Sequence, residues 1–175
     1  MDAVFELLQG TSVRDLTMEQ IAKRAKVGKP TLYKWWPTKA SLVLAMFQER
    51  LAGGLETPGA LTAEQALRGR VHNLIREFNG LFGKVMADLI AEGQSEPAML
   101  HALYTQHLEP RRAATVSIIE DAKASGEFLA DVDAQLLIDE IFAPIYFRLL
   151  VRYAPLSQQY GEELVDQVLR GKRCS

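Results

Sequence analysis

Between residues 29 and 39 the chain gathers side chains that can donate to phosphates and to base edges: Lys29, Thr31, Tyr33, Lys34 and Lys39. Ammonium and hydroxyl donors concentrated at one end of a short helix suit an anionic polymer, because each cation that neutralises a phosphate releases a condensed counterion. Lys39 stands at a helix start, where free backbone amides and the helix dipole favour a phosphate. Lys29, Pro30, Thr31 and Lys34 are the candidates for reading bases. A lysine can donate to guanine, and a proline or threonine methyl can pack on a thymine methyl. The isolated cations Lys23, Arg24 and Lys26 are read as solvated.

These residues need two short helices and a turn to position them. Thr17 and Gln20 form a Thr-x-x-Gln capping box that opens the first helix. Leu16, Ile21, Ala22 and Ala25 recur along it at the spacing of a core face. Gly28 is expected to supply the turn, since glycine enters left-handed backbone conformations without steric cost. Pro30 then falls in the first turn of a second helix, where no amide donor is needed. Leu32 and Trp36 are its core residues, Pro37 ends it, and Thr38 caps a third helix that opens with Lys39. Helix, turn and helix together read as a helix-turn-helix, whose second member enters the major groove.

The run Thr-x-x-x-Ile-Ala, then Val-Gly-Lys-Pro-Thr-Leu-Tyr-Lys-Trp-Trp-Pro-Thr-Lys-x-x-Leu, resembles the amino-terminal domain of the TetR family of transcriptional regulators. The resemblance implies that Thr17, Tyr33 and Lys39 contact DNA phosphates and that Lys29, Pro30, Thr31 and Lys34 form the base-reading face. Trp36 matches a core aromatic. Trp35 matches a position the family uses both for packing and for backbone contact. The family's first helix normally begins a turn or more earlier, behind a basic arm, whereas Met1-Asp2-Ala3-Val4-Phe5-Glu6-Leu7-Leu8 starts inside it. Two expectations stay open: a start further upstream, or DNA binding with fewer phosphate contacts. The alternative function is therefore a helical small-molecule-binding dimer whose DNA binding is weak or lost.

Composition bounds the remaining possibilities. With 175 residues, 48% of them hydrophobic, the chain can bury a sizeable core as one domain or as a small domain fused to a larger one. Residues 1–50 hold eight Lys and Arg against five Asp and Glu, a balance of +3 that leaves −5 for the rest of a chain with net charge −2. A basic head on an acidic body suits a protein that presents one end to DNA. The one cysteine, Cys174, forms no intramolecular disulfide, which fits a reducing, cytoplasmic setting. No segment reads as a signal peptide, and Arg148 and Arg152 interrupt the most hydrophobic stretch before it could span a bilayer.

His72, His101 and His107 lack ligand spacing, so no metal is expected. Gly93-Gln94-Ser95-Glu96-Pro97 has proline where a nucleophile elbow needs glycine, and no glycine loop cradles a phosphate. Neither an enzyme nor a cofactor is expected.

Beyond residue 42 the pattern is helical. Gly53, Gly54, Pro58 and Gly59 mark a linker, dividing a helix-turn-helix domain at 1–52 from a helical ligand-binding and dimerisation domain at 53–175. Thr62, Asp131 or Asp133, and Ser157 read as N-caps, and Gly126 as a C-cap. Bends are expected near Pro110 and Pro144. No stretch alternates as a strand does, so the fold is all-α, with about nine helices and an apparently truncated first one.

From 136 to 151 apolar residues cover more than one face. Leu136, Leu137, Ile141, Ile145 and Leu149 lie on one side, with Ile138, Phe142, Tyr146 and Leu150 turned away. Such a helix is buried twice, either centrally in a monomer or against its own body and a partner. A helix-turn-helix favours the homodimer, because two heads read half-sites about one helical turn apart on a palindromic operator. Ile138, Phe142, Leu150, Leu164, Val165, Val168 and Leu169 are the candidate interface.

Leu-Ile-Ala-Glu-Gly-Gln, His-Leu-Glu-Pro-Arg-Arg-Ala-Ala and Pro-Ile-Tyr-Phe-Arg-Leu-Leu also resemble the carboxy-terminal region of one TetR subgroup. That likeness implies a pocket for a small-molecule effector that releases the protein from DNA. Its implied lining is Phe78, Phe82, Met86, Leu89, Tyr104, His107, Arg111, Phe142 and Tyr146. Apolar walls with a few polar tips suit an aromatic or amphipathic ligand. The whole resemblance implies a ligand-responsive repressor.

Overall fold

The computed structural model describes residues 1–51 and 62–173. The expected linker at Gly53, Gly54, Pro58 and Gly59, the boundary at 52/53 and Cys174 lie outside those residues. Ten α-helical segments are described: α1 (Asp2–Gly10), α2 (Met18–Ala25), α3 (Lys29–Trp35), α4 (Lys39–Leu51), α5 (Ala63–Phe78), α6 (Leu81–Gly93), α7 (Pro97–Leu103), α8 (Glu109–Ser125), α9 (Ala134–Val151) and α10 (Gln158–Leu169). A π-helical turn, Tyr104–Leu108, runs on from α7 into α8, so the ten segments make nine continuous helices. No strand forms among the described residues, which show one isolated antiparallel bridge between Phe128 and Arg173. The fold is all-α.

The chain divides into two compact units that do not follow its linear order. One comprises the described residues of Met1–Gly53 with Leu81–Leu108, the other those of Gly54–Gly80 with Glu109–Ser175. In the first unit α6 packs on α1 and α7 on α4. Asp88 of α6 accepts the Val13 amide at 2.9 Å, and the Lys84 ammonium donates to the Leu8 and Thr11 carbonyls at 3.2 and 3.0 Å. Those bonds satisfy backbone groups at the end of α1 and just beyond it, and they anchor α1 to α6. Leu8, Leu16, Ile21, Phe47, Met86 and Leu89 are fully buried.

The π turn belongs to this unit. Residue 110 is proline and returns no N–H to the Gln106 carbonyl. That carbonyl accepts instead from Gln48 Nε2 on α4 at 2.9 Å. The buried His107 ring meets the Phe47 ring edge-on, with centroids 4.7 Å apart.

The second unit is built from α5, α8, α9 and α10. Thr62 caps α5 through the Gln65 amide, and the Glu127 carboxylate accepts from the Ala63 and Glu64 amides at 2.8 and 2.9 Å. An anion there complements the helix dipole. Asp133 caps α9, Ser157 caps α10, and Gly126 ends α8 with a φ of +79°. Gly161 lets α10 approach α5 closely: a Cβ there would lie 2.6 Å from Ile75 Cδ1 and 2.8 Å from Val71 Cγ1.

Candidate nucleic-acid interface

The expected capping box is present. The Thr17 hydroxyl accepts the Gln20 amide at 3.2 Å, while Gln20 Oε1 accepts the Thr17 amide at 2.8 Å. Two orphan donors at the start of α2 are thereby satisfied. Thr38 and Ser41 reciprocate in the same way at the start of α4, with amide-to-hydroxyl distances of 3.1 and 3.2 Å.

The turn between α2 and α3 departs from expectation. Lys26, with φ +55°, is the left-handed residue, whereas Gly28 at φ −72° is an extended N-cap. The Lys26 and Val27 amides fold back onto the Lys23 and Ala22 carbonyls at 3.3 and 3.1 Å. These bonds close the end of α2 and hold a non-glycine residue in a conformation it otherwise avoids.

Among the seven residues of α3 only Leu32 is buried. Lys29, Pro30, Thr31, Tyr33, Lys34 and Trp35 are all exposed, and Trp35 retains 67% of its surface. Burial of one leucine stabilises a helix this short very little, so its packing against α2 carries it. Leu16, Ile21, Ala22 and Leu32 are buried as expected, but Ala25 is exposed and Trp36 half-buried. Ala25 is the last residue of α2, where the turn has already left the packed face.

Two of the cations are held by partners that the sequence does not announce. The Lys29 ammonium pairs with Glu19 on α2, which holds the Glu19 carboxyl below its ordinary range. The Lys39 ammonium donates to the Arg14 carbonyl. Lys34 lies over the Trp35 ring at 5.7 Å, within cation–π range. Glu19 stands ten residues before Lys29, across the turn, a spacing that carries no recognisable signal. Thr17 is exposed and Lys39 half-buried, so both can be reached from outside.

The residues assigned to a ligand pocket divide between the two compact units. Phe82, Met86, Leu89, Tyr104 and His107 belong to the first, where Met86, Leu89 and His107 are buried and Tyr104 is exposed. Phe78, Arg111, Phe142 and Tyr146 belong to the second. There Phe78 meets Tyr146 edge-on at 5.0 Å, and Arg111 faces Glu77 at 3.4 Å. Burial pushes the Tyr146 phenol up to about 12, so it stays a neutral donor.

Of the residues assigned to a dimer interface, Ile138, Val165 and Leu169 are buried within their own unit. Phe142, Leu164 and Val168 are half-buried, and Leu150 is exposed. The apolar face that α9 leaves open is carried by Leu136, Phe147, Leu150 and Val151. Leu136, expected beside Leu137 and Ile141, stands instead on that open face with 61% of its surface exposed. Among the described residues no group of three or more His, Cys, Asp and Glu is placed to hold a metal, and no helix is long and apolar enough to cross a membrane.

A short exposed helix bearing cations and hydroxyls, set after a capped helix and a tight turn, defines a helix-turn-helix DNA-binding regulator. The chain belongs to the TetR family. Residues 1–46 match the family model for bacterial regulatory proteins of the tetR family, and residues 58–168 match a tetracyclin repressor-like C-terminal domain. The chain is 30% identical, over its full length and 88% of the relative's, to YdeS of Bacillus subtilis, an uncharacterized HTH-type transcriptional regulator. It superposes on the crystal structure of the TetR family transcription regulator SCO0332 with a TM-score of 0.82 at 29% identity, covering 99% of this chain and 95% of the other. FadR from Bacillus subtilis, solved in complex with stearoyl-CoA, shares the fold with a TM-score of 0.76 at 17% identity, covering 97% and 96% of the two chains. The family and these relatives are transcriptional regulators, not enzymes.

Proposed function

We propose that this regulator is a repressor that binds a palindromic operator as a homodimer and leaves it when a small-molecule effector binds. The observation that carries the reading is α3, which turns six of its seven side chains outward, five of them donors. Thr17, Tyr33, Lys39 and the exposed Trp35 hold the DNA backbone, and Lys29, Pro30, Thr31 and Lys34 read sequence. Glu19 releases Lys29 when DNA offers it a better acceptor. Residues 1–52 serve as the DNA-binding domain and 53–175 as the ligand-binding and dimerisation domain. The protein acts in the cytoplasm, where its DNA lies.

The open face of α9 supports the homodimer. Leu136, Phe147, Leu150 and Val151 lie on one side of that helix, and the half-buried Leu164 and Val168 extend the apolar surface on α10. An effector with an apolar body and a polar tip fits Phe78, Phe142, Tyr146 and Arg111, the pocket candidates of the second unit. The complex of FadR with stearoyl-CoA, an amphipathic molecule, supports that choice. A ligand that favours one of two dimer states by a typical coupling of about 1 to 3 kcal/mol changes operator affinity roughly 5- to 150-fold.

DNA sequences selected from a random pool by the full chain test the reading. Fluorescence anisotropy should show binding that weakens steeply with salt, to a site with two inverted half-sites. A flat salt response with no selected sequence would leave only a helical small-molecule-binding dimer. Leu150→Asp should shift the protein toward monomer in sedimentation and abolish the two-half-site preference; an unchanged dimer would remove α9 from the interface.

A further inference from the structure

Two arginines stand two residues apart on α5 and meet opposite fates. Arg68 donates to three carboxylates, those of Glu64, Glu162 and Asp166, and is fully compensated. Among the described residues no carboxylate pairs with Arg70. Its Nη1 donates to the buried Thr115 hydroxyl on α8 at 3.1 Å, and that hydroxyl donates onward to the Arg111 carbonyl at 2.8 Å. Arg70 Nε is shut off from water and has no hydrogen-bond partner among the described residues. Burial, and then the positive charge of Arg111, pull the Arg70 pKa below its usual value; a guanidinium remains protonated regardless.

The surroundings hold too little negative charge for this pair. Among the described residues Arg111 pairs with one carboxylate, Glu77, at a loose 3.4 Å. Tyr146 adds a neutral phenol that feels both Arg111 and Glu77, and its ring packs against Phe78. Two half-buried guanidiniums and one carboxylate leave one positive charge partly withdrawn from water, where the buried, unpaired Nε donor costs more than it does in water. A planar guanidinium fork with vacant donors matches a carboxylate, which can take two parallel hydrogen bonds from it.

We propose that Arg70, with Arg111 beside it, binds the carboxylate of an amphipathic monoanionic effector whose apolar part lies toward the Phe78 and Tyr146 rings. This rests on the effector-release reading above and gives that effector a chemical class: an organic acid, not a neutral or cationic molecule. Arg70 was not among the residues assigned to the pocket, and an Arg-x-Arg pair in the sequence does not reveal which member is left without a counterion.

The test uses the full chain without DNA, titrated calorimetrically with two acids and their neutral primary amides: decanoate against decanamide, and 2-naphthoate against 2-naphthamide. At least one acid should bind ten-fold or more tightly than its amide, and the acid that does so distinguishes a straight-chain ligand from an aromatic one. Arg70→Gln should erase that preference while leaving amide binding within two-fold. Acids no tighter than amides, including no binding of either, or a preference that survives Arg70→Gln, would overturn the proposal.

Thermal unfolding without ligand gives a second reading. Arg70→Met should leave the melting temperature unchanged or raise it, because it removes an uncompensated charge; a clear fall would make Arg70 structural and overturn the assignment. Operator release is measured separately by anisotropy. An acid that binds through Arg70 without weakening DNA binding keeps the anion site and sinks the release reading. A neutral ligand that releases DNA with no acid preference does the reverse.

Discussion

The short exposed helix α3 and the long helix α9 use opposite strategies. Helix α3 buries only Leu32 and turns its remaining residues outward; α9 buries Ala134, Leu137, Ile138, Ile141, Ile145 and Leu149 and still leaves apolar residues exposed. One helix exists for what it touches, the other for what it holds together. Side chains on α3 are therefore free to be chosen for phosphate and base chemistry. Those on α9 are constrained by volume, because interiors are packed as densely as organic crystals.

Substitutions can break that comparison, and the largest effect is expected in α9. Ile141→Ala should lower unfolding stability by about 2–5 kcal/mol in urea denaturation, since the side chain is fully buried and its loss leaves a cavity. Tyr33→Ala on α3 should change the same measurement by less than about 0.5 kcal/mol while weakening DNA binding. Equal losses of stability at the two sites would erase the distinction.

Gly161→Ala comes next. Its new methyl would meet Ile75 and Val71 well inside van der Waals distance, costing about 1–3 kcal/mol by thermal melt unless α10 shifts. Thr17→Ala removes one half of the capping box and should cost about 1 kcal/mol of stability. It therefore sharpens the comparison by measuring what a local cap adds to the buried core of the head. Smallest in energy is Lys39→Ala, which should weaken all DNA sequences alike and reduce the slope of log affinity against log salt by about 1 in anisotropy. Lys29→Ala should instead change which sequences are selected. Exchanged results would exchange the two lysines' roles.

Most helix ends were legible because their determinants lie within a few residues on the chain. Thr17 with Gln20, Thr38 with Ser41, and the Thr62, Asp133 and Ser157 caps each satisfy an amide two or three residues further along. The exposed donors of α3 were legible for the same reason, since the motif is contiguous. Reading failed where a conformation or an exposure depended on neighbours. Lys26, and not Gly28, takes the left-handed position because the backbone bonds closing α2 fix it there. Ala25 and Leu136 fit an apolar period yet face outward, since periodicity identifies apolar residues without saying which face finds a partner.

By itself, then, the sequence determined an all-helical chain with a capped helix-turn-helix, a cluster of cationic and hydroxyl donors on its second helix, and a final pair of helices with apolar surface to spare. Capping, turn chemistry and amphipathic spacing are short-range, and they act whatever the rest of the chain does. Tertiary structure alone decided which apolar face of α9 stays open and which arginine of α5 is compensated. Arg68 meets Asp166 across 98 residues of chain, while Arg70, two positions on, meets a hydroxyl and a second cation. Charge compensation falls off over a few ångströms of space, and only folding brings residues that distant in sequence to within that range.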